Sequence, residues 1–334
     1  MCWEPPRRGY VARVTRIGFH ASHEQLTPAD LLRAVQRAEE AGFDAAMCSD
    51  HLAPWSERQG HSGHSWSWLG AALQATSFDL GVVTAPVQRY HPAITAQAIA
   101  TLAQMYPGRF WAALGSGEAI NEHITGDPWP RKEDRMQRLR ECVDVIRDLL
   151  AGAEVNHDGL VTVEQARLWT RPGQPPALIG AAVSTSTAAW CAEWADGLIT
   201  VNAPLPHLRD MIASYRDAGG RGPAYLQVHL SWAADDEAAR KLAYEQWRSN
   251  VFDPPVSWDL PLTEHFDVTS ERISMEQLAE VVNISADPAR HLGWLESYLE
   301  CGFDGLYLHH VGQEQRYFID TFGSQVLPKL RAHG

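Results

Sequence analysis

Short runs of unbroken apolar residues alternate along the chain with longer stretches in which apolar positions recur every three or four residues. The short runs, at 16–22, 44–49, 78–84, 109–115, 177–182, 197–202, 225–232 and 304–310, read as strands with both faces covered. The longer stretches, at 28–41, 92–105, 131–151, 185–194, 205–218, 235–248, 288–301 and 313–323, read as helices. Local chemistry agrees: Thr27 and Pro28 suit the N-cap and first position of the first helix, and Gly42 suits its stop. The joint Glu40-Ala41-Gly42-Phe43-Asp44 returns as Glu300-Cys301-Gly302-Phe303-Asp304, with a weaker echo at Trp194-Ala195-Asp196-Gly197. A repeated helix–glycine–strand joint marks repeated βα units. Eight strands in alternation predict an α/β protein, a closed (β/α)8 TIM barrel rather than an open sheet. Two stretches break the rhythm. Residues 154–170 read as a hairpin insertion. Residues 249–275, rich in proline and aromatics, read as a long loop over one end, of the kind that serves as a lid or binding loop. The expected organisation is a tail at 1–15 and one barrel domain at 16–334.

Composition narrows the partners. An apolar fraction of 45% allows an ordinary core, and a net charge of −13 argues against nucleic acid or an anionic membrane as the main partner. The five cysteines are odd in number and widely spaced, with no C-x-x-C. Neither a disulfide framework nor a zinc ribbon fits, which points to a reducing, cytoplasmic setting. No stretch of ~18 apolar residues predicts a membrane span, and residues 1–15 lack the apolar core of a secretory signal.

In a barrel, chemistry is sought at the carboxyl ends of the strands. The second strand ends in Asp50-His51, with Trp55 close behind. The fourth ends in Gly115-Ser116-Gly117-Glu118, followed by Asn121 and Glu122. His51 and Glu118 are thus two titratable groups on nearby strand ends, suited to work as base and acid. The stretch from Gly180 to Thr187 places small residues and hydroxyls before a helix, an arrangement that can cradle a phosphate. Read alone, the same stretch is more commonly a plain helix cap. Histidines at the first and last strands, His20, His23, His309 and His310, raise a rival of another class, a metal-dependent barrel hydrolase. Their His-x-x-His spacing and the absence of a ligand on the fifth strand weigh against it, and no metal is expected.

Taken together, Ser49-Asp50-His51…Trp55, Arg89-Tyr90-His91-Pro92-Ala93, Gly115-Ser116-Gly117-Glu118-Ala119-Ile120-Asn121-Glu122 and Gln315-Arg316-Tyr317-Phe318 resemble the luciferase-like flavin-dependent oxidoreductases. The branch they resemble is that of the glucose-6-phosphate dehydrogenases that use the deazaflavin F420. The resemblance runs from Ile17 to Leu330. It implies a (β/α)8 barrel with a flavin in its mouth. It implies His51 as base, Glu118 as acid and Trp55 beside them, with Asp50, Ser116, Gly117 and Asn121 around the ring. It also implies a non-prolyl cis peptide at Val82-Val83, a bulge behind the ring, and a cofactor phosphate on the backbone of Ala182, Val183 and Ser184. His61 and His309 are expected to face the substrate.

Two departures from that branch matter. At the two positions where the branch holds lysines for the sugar phosphate, this chain has Pro204 and Glu280, so a phosphorylated sugar is not expected. Ala182-Val183 replaces a glycine pair, which tilts the expected cofactor toward FMN over F420. The expected function is a flavin-dependent oxidoreductase, by hydride transfer or monooxygenation, acting on a small organic molecule. With FMN, a flavin reductase is a candidate partner. An F420-dependent dehydrogenase of an unphosphorylated substrate is the alternative, and a non-catalytic flavin-binding subunit is a third reading. A homodimer is expected.

Overall fold

The computed structural model describes residues 15–332, so the expected tail falls outside it except for Thr15. Eight strands form the core: β1 (Arg16–Ala21), β2 (Ala45–Ser49), β3 (Asp79–Thr84), β4 (Phe110–Leu114), β5 (Leu178–Ala181), β6 (Gly197–Val201), β7 (Ala224–Ser231) and β8 (Gly305–His310). Each pairs in parallel with the next, and β8 returns to β1 with Gly305 opposite Arg16. The sheet therefore closes into the expected (β/α)8 barrel. A short extra strand, Asn283–Ile284, pairs with β7 at Leu230 and Ser231.

Side chains along each strand alternate between inside and outside. Outward ones, such as Phe19, Leu80 and Leu226, join the helices in the main core. Inward ones form a separate cluster around Met47, Trp111, Ile179, Ile199 and Tyr307. The rings of Trp111, Tyr225 and Tyr307 meet at centroid distances of 5.4, 5.7 and 5.6 Å. They leave no room for side chains opposite: a Cβ on Gly81 would lie 2.0 Å from the Trp111 ring, and one on Gly18 would lie 2.4 Å from Tyr307. The lower barrel is thus a packed aromatic plug, which leaves the carboxyl ends of the strands for a ligand.

The strands match the periodicity to within about two residues, and the first helix is Pro28–Glu40, with the Thr27 hydroxyl accepting from the Asp30 N–H. The insertion at 154–170 is the expected antiparallel hairpin, Val155–Asp158 with Thr162–Ala166. One helix, Ser65–Ala75, falls where no helix was expected. It has no charged residue and is capped by the His64 ring rather than by a hydroxyl or carboxylate, so its polar face carries little signal. The 249–275 segment is not plain loop. It folds into short helices at Val256–Asp259 and Thr263–Thr269, and Met275–Val281 follows.

The peptide bond expected to be cis, Val82–Val83, is trans; among the described residues the cis bond is Pro254–Pro255. The reason is the ladder. Val82 and Val83 pair with Cys48 and Ser49 on one side and with Ala112 and Ala113 on the other, a regular register with no bulge. No described helix is long and apolar enough to cross a membrane. Cys48, Cys142, Cys191 and Cys301 are all free thiols, and all are buried.

Candidate active site

The carboxyl end of β2 turns sharply at Asp50-His51. The His51 ring is held by a residue the sequence reading passed over, Glu24, three residues beyond the end of β1. His51 Nδ1 lies 3.0 Å from Glu24 Oε1, an ion-pair contact whose N–H is not well aligned for a hydrogen bond. Glu24 is almost fully buried. The Ser22 hydroxyl donates to its Oε2 at 2.6 Å, and the Ser49 hydroxyl donates to its Oε1 at 2.7 Å. Burial alone would raise the Glu24 pKa, but the His51 charge and the two hydroxyls hold it well below the usual range. Burial works against a charged His51 as well, yet the Glu24 carboxylate outweighs it and raises the His51 pKa, with Glu118 adding and Arg89 opposing. Each partner thus favours the charged form of the other.

Asp50 faces the other way, into a buried polar network. Thr84 donates to its Oδ2 at 2.8 Å and Tyr90 to its Oδ1 at 3.4 Å. Arg89 donates to the Asp50 carbonyl at 2.8 Å, and its guanidinium lies 3.4 Å from Oδ2 and 3.7 Å from Glu122 Oε1. One arginine thus stands between two buried acids. Burial pushes the Glu122 pKa up to about 7, against the pull of the Arg89 N–H and charge. Asn121 ties the two strand ends together: its Oδ1 accepts from the Leu52 N–H at 2.8 Å, and its amide donates to Glu118 Oε2 at 3.3 Å. Glu118 caps a single helical turn, Ala119–Glu122. Ser116 sits half-buried before Gly117, whose φ of +79° is left-handed and whose Cβ would lie 3.2 Å from Glu122 Cγ.

The mouth of the barrel is divided. From β3 to β6 the inward residues nearest the mouth are small or apolar: Val83, Ala113, Ala181 and Val201. From β7 through β1 they are Gln227, His229, His309 and His20. The Gln227 amide lies 3.1 Å from His229 Nε2 and 3.2 Å from His309 Nδ1, while His309 Nε2 reaches Gln25 Oε1 at 2.8 Å. A Gln227 amide that donates to both rings leaves His309 Nε2 to donate to Gln25, so all the rings can be neutral. Burial agrees, pushing His20 and His229 down to about 3 and holding His309 well below the ordinary histidine value.

The four histidines of the metal alternative do not converge. His20 meets His309 at a tilt, 4.4 Å between centroids, but His23 packs edge-on against Trp68 and His310 lies on Phe318. No cluster of three or more potential ligands suited to a metal occurs among the described residues.

Trp55 stands edge-on to His51 at 5.1 Å, as a neighbour of the pair. His61 joins through its backbone, its N–H donating to the Glu24 carbonyl at 3.1 Å, and Ser62 after it donates to the His51 carbonyl at 2.7 Å. His309 lies in the polar wall. Ala182 is buried, and Val183 is exposed on the rim with its carbonyl 3.2 Å from the His207 ring nitrogen. Ser184 caps the helix Thr185–Cys191 by accepting from the Thr187 N–H. Glu24, Gln227 and His229 were not anticipated. Their signal was position alone: Glu24 lies just past the end of β1, and Gln227 and His229 alternate along β7.

Three comparisons bear on this site. The model of a family described as luciferase-like monooxygenase matches residues 10–297. An F420-dependent glucose-6-phosphate dehydrogenase of Nakamurella multipartita is 34% identical over 330 residues, covering 95% of this chain and 97% of that protein. The solved structure of an F420-dependent secondary alcohol dehydrogenase, in complex with an F420-acetone adduct, superposes with a TM-score of 0.88 at 29% identity, covering 95% of this chain and 99% of that one. The oxygenating constituent of 3,6-diketocamphane monooxygenase from Pseudomonas putida, in complex with FMN, gives 0.69 at 17% identity and speaks for the fold alone.

Proposed function

This chain belongs to the luciferase-like monooxygenase family, and on that premise we propose that it is an F420- or flavin-dependent oxidoreductase acting on the hydroxyl or carbonyl carbon of a small, uncharged substrate. The observation that carries the reading is the buried Glu24–His51 pair at the barrel mouth, beside Glu118.

The mouth fits a flat ring on one side. Val83, Ala113 and Ala181 offer small apolar contacts, and Gly115 leaves a shallow cradle where a Cβ would meet Ala181 at 3.6 Å. Ser116, Gly117 and Asn121 would hold its edge, with Asp50 behind them in the Arg89 network, and Ala182, Val183 and Ser184 its phosphate arm. When bound, the group accepts or supplies a hydride. His51 gives its proton to a developing alkoxide in reduction, or takes one from an alcohol once deprotonated. Glu24 fixes the ring's orientation, so that Nε2 is the nitrogen left for the substrate. Glu118, beside the pair, serves a second proton. Trp55 shields the pair from water.

The uncharged substrate follows from the committed cations. Arg89 is taken by Asp50 and Glu122, Arg58 by Asp267, and Arg135 by Asp259 and two tryptophans. The histidines of the wall are neutral. A phosphate dianion would meet no free cation among these groups, in keeping with Pro204 and Glu280 at the positions noted above.

Between the cofactors, the full-length relatives favour F420, against the tilt taken from Ala182-Val183. Titration of purified apo protein with F420 and with FMN, followed by fluorescence, decides it. Preferential F420 binding with oxidation of secondary alcohols is the expected result. FMN binding alone moves the protein toward monooxygenase chemistry fed by a flavin reductase. Binding of neither overturns the reading.

We also propose a homodimer formed through the helices Ser65–Ala75 and Pro92–Met105. Neither contains a charged residue, yet Ile94 and Met105 stand 58% and 54% exposed.

A further inference from the structure

The loop that carries Trp55 is fastened from outside the barrel. Both oxygens of the Asp267 carboxylate are engaged by three consecutive residues of that loop. Ser56 donates to Oδ1 at 2.6 Å, the Glu57 N–H donates to Oδ2 at 2.9 Å, and the Arg58 guanidinium lies 2.8 Å from Oδ1. The preceding residue, Phe266, is fully buried and meets the Trp55 ring edge-on at 5.1 Å. Trp55 in turn meets His51 edge-on at 5.1 Å. The Thr263 hydroxyl donates to the Pro54 carbonyl at 2.8 Å, one residue before Trp55.

We propose that Asp267 and Phe266, on the insertion between β7 and β8, are positioning residues that hold Trp55 against His51, which makes the insertion a working part of the catalytic assembly. The inference rests on the role given above to His51 and Trp55.

His51 is gripped from two sides, by Glu24 at Nδ1 and by the Trp55 ring. Glu24 is fixed by its two serine donors. Trp55 lies on an irregular loop, and such a loop is placed by what it is tied to rather than by its own backbone. Three contacts to one carboxylate, continued by an aromatic ladder from Phe266 through Trp55 to His51, turn the docking of the insertion into the position of a ring. Aromatic edge contacts and charge-assisted hydrogen bonds are both directional, so a small displacement of the insertion is passed to His51. The charged groups bearing on His51 are Glu24, Glu118 and Arg89, with His20 and His23 neutral on the Glu24 side. Asp267 contacts none of them in the interactions above. Its path to His51 runs through the loop it fastens, by the Trp55 ring and, farther along that loop, by Ser62, whose hydroxyl donates to the His51 carbonyl at 2.7 Å.

The test uses the full chain with Asp267→Ala, Asp267→Asn and Phe266→Leu, and reads the His51 imidazole by NMR titration in the apo protein. With the clamp released, water reaches the Glu24–His51 pair and weakens it. The His51 midpoint should then fall toward the ordinary histidine value by about half a pH unit or more in Asp267→Ala and Phe266→Leu, and by less in Asp267→Asn. In turnover with the cofactor that binds, kcat should drop about tenfold or more while cofactor affinity stays within about twofold, and the pH limb should move with the NMR midpoint. A variant that melts earlier but keeps the wild-type His51 midpoint and kcat overturns the proposal. If Asp267→Ala does not fold, Asp267→Asn and Phe266→Leu carry the same comparison. If wild-type protein shows no turnover with either cofactor, the oxidoreductase reading fails, and the apo titration still decides the clamp.

Discussion

Glu24 and His51, from the loop after β1 and the end of β2, form a buried ion pair with 3.0 Å between Oε1 and Nδ1. Each is shifted in the direction that favours its charged form. The folded-state pKa of His51 is raised, so its stabilising share is full below the ordinary histidine value and is lost as pH rises through the raised one. That of Glu24 is lowered, so its share is full above the ordinary carboxylate value and is lost as pH falls through the lowered one. The pair is strongest between the two ordinary values and weakens on either side.

Replacing Glu24 with Gln keeps the shape and removes the charge. The activity limb set by His51 should move to lower pH. Reduction of a carbonyl near pH 7 should slow by ~10- to 100-fold, because fewer rings carry the proton. Alcohol oxidation should lose less. A pH–rate profile superimposable on wild type would sink the assigned role of Glu24.

Glu122 predicts a slope of the opposite kind. Its pKa is raised by burial to about 7 from an ordinary 4.5, so the folded protein holds a proton that the unfolded chain has already lost. Stability should therefore decline as pH rises across that interval. Glu122→Gln should flatten the decline in urea-unfolding free energy measured at pH 5, 6, 7 and 8. An unchanged slope would show that some other group sets it.

Arg89 stands between Asp50 and Glu122 with 6% of its side chain exposed. Arg89→Met should destabilise the fold by ~3–5 kcal/mol at pH 7, because it leaves buried carboxylate charge without a partner. Lowering the pH should recover part of the loss as Glu122 takes a proton. Denaturant midpoints at pH 5.5 and 7.5 test this, and a loss below ~1 kcal/mol at both would contradict it.

The two charge-free helices predict a concentration-dependent dimer. Ile94→Arg together with Met105→Glu should give a monomer by sedimentation or light scattering, with the near-ultraviolet spectrum unchanged. A wild-type protein that is monomeric at all concentrations rules the interface out.

Much of the site was legible because barrels place chemistry at strand ends and this chain's strands are short, apolar and sharply terminated. Asp50, His51 and Glu118 were singled out by that rule with no knowledge of contacts, and Asn121 by likeness to the family. Glu24 did not, because nothing local marks it. Its meaning arises only when Ser22, Ser49 and His51 close around it from two strands. Asp267 was hidden in the same way, inside a segment without periodicity, more than two hundred residues from the loop it fastens. The helix Ser65–Ala75 was missed because a stretch with no charged face gives no amphipathic contrast. The expected Val82–Val83 cis bond came from likeness rather than from periodicity, and the continuous ladder to β2 and β4 holds it trans.

The sequence by itself determined the number and order of the βα units, since alternation of buried runs with amphipathic stretches is a local property written in side-chain type. Closure of the barrel follows from that repetition. The tertiary structure alone decided the charge state of the mouth. Whether a histidine is biased toward its charged form by Glu24, as His51 is, or toward the neutral ring by burial, as His20, His229 and His309 are, depends on what surrounds it after folding. Desolvation and Coulomb attraction act through space, and residues far apart along the chain set both.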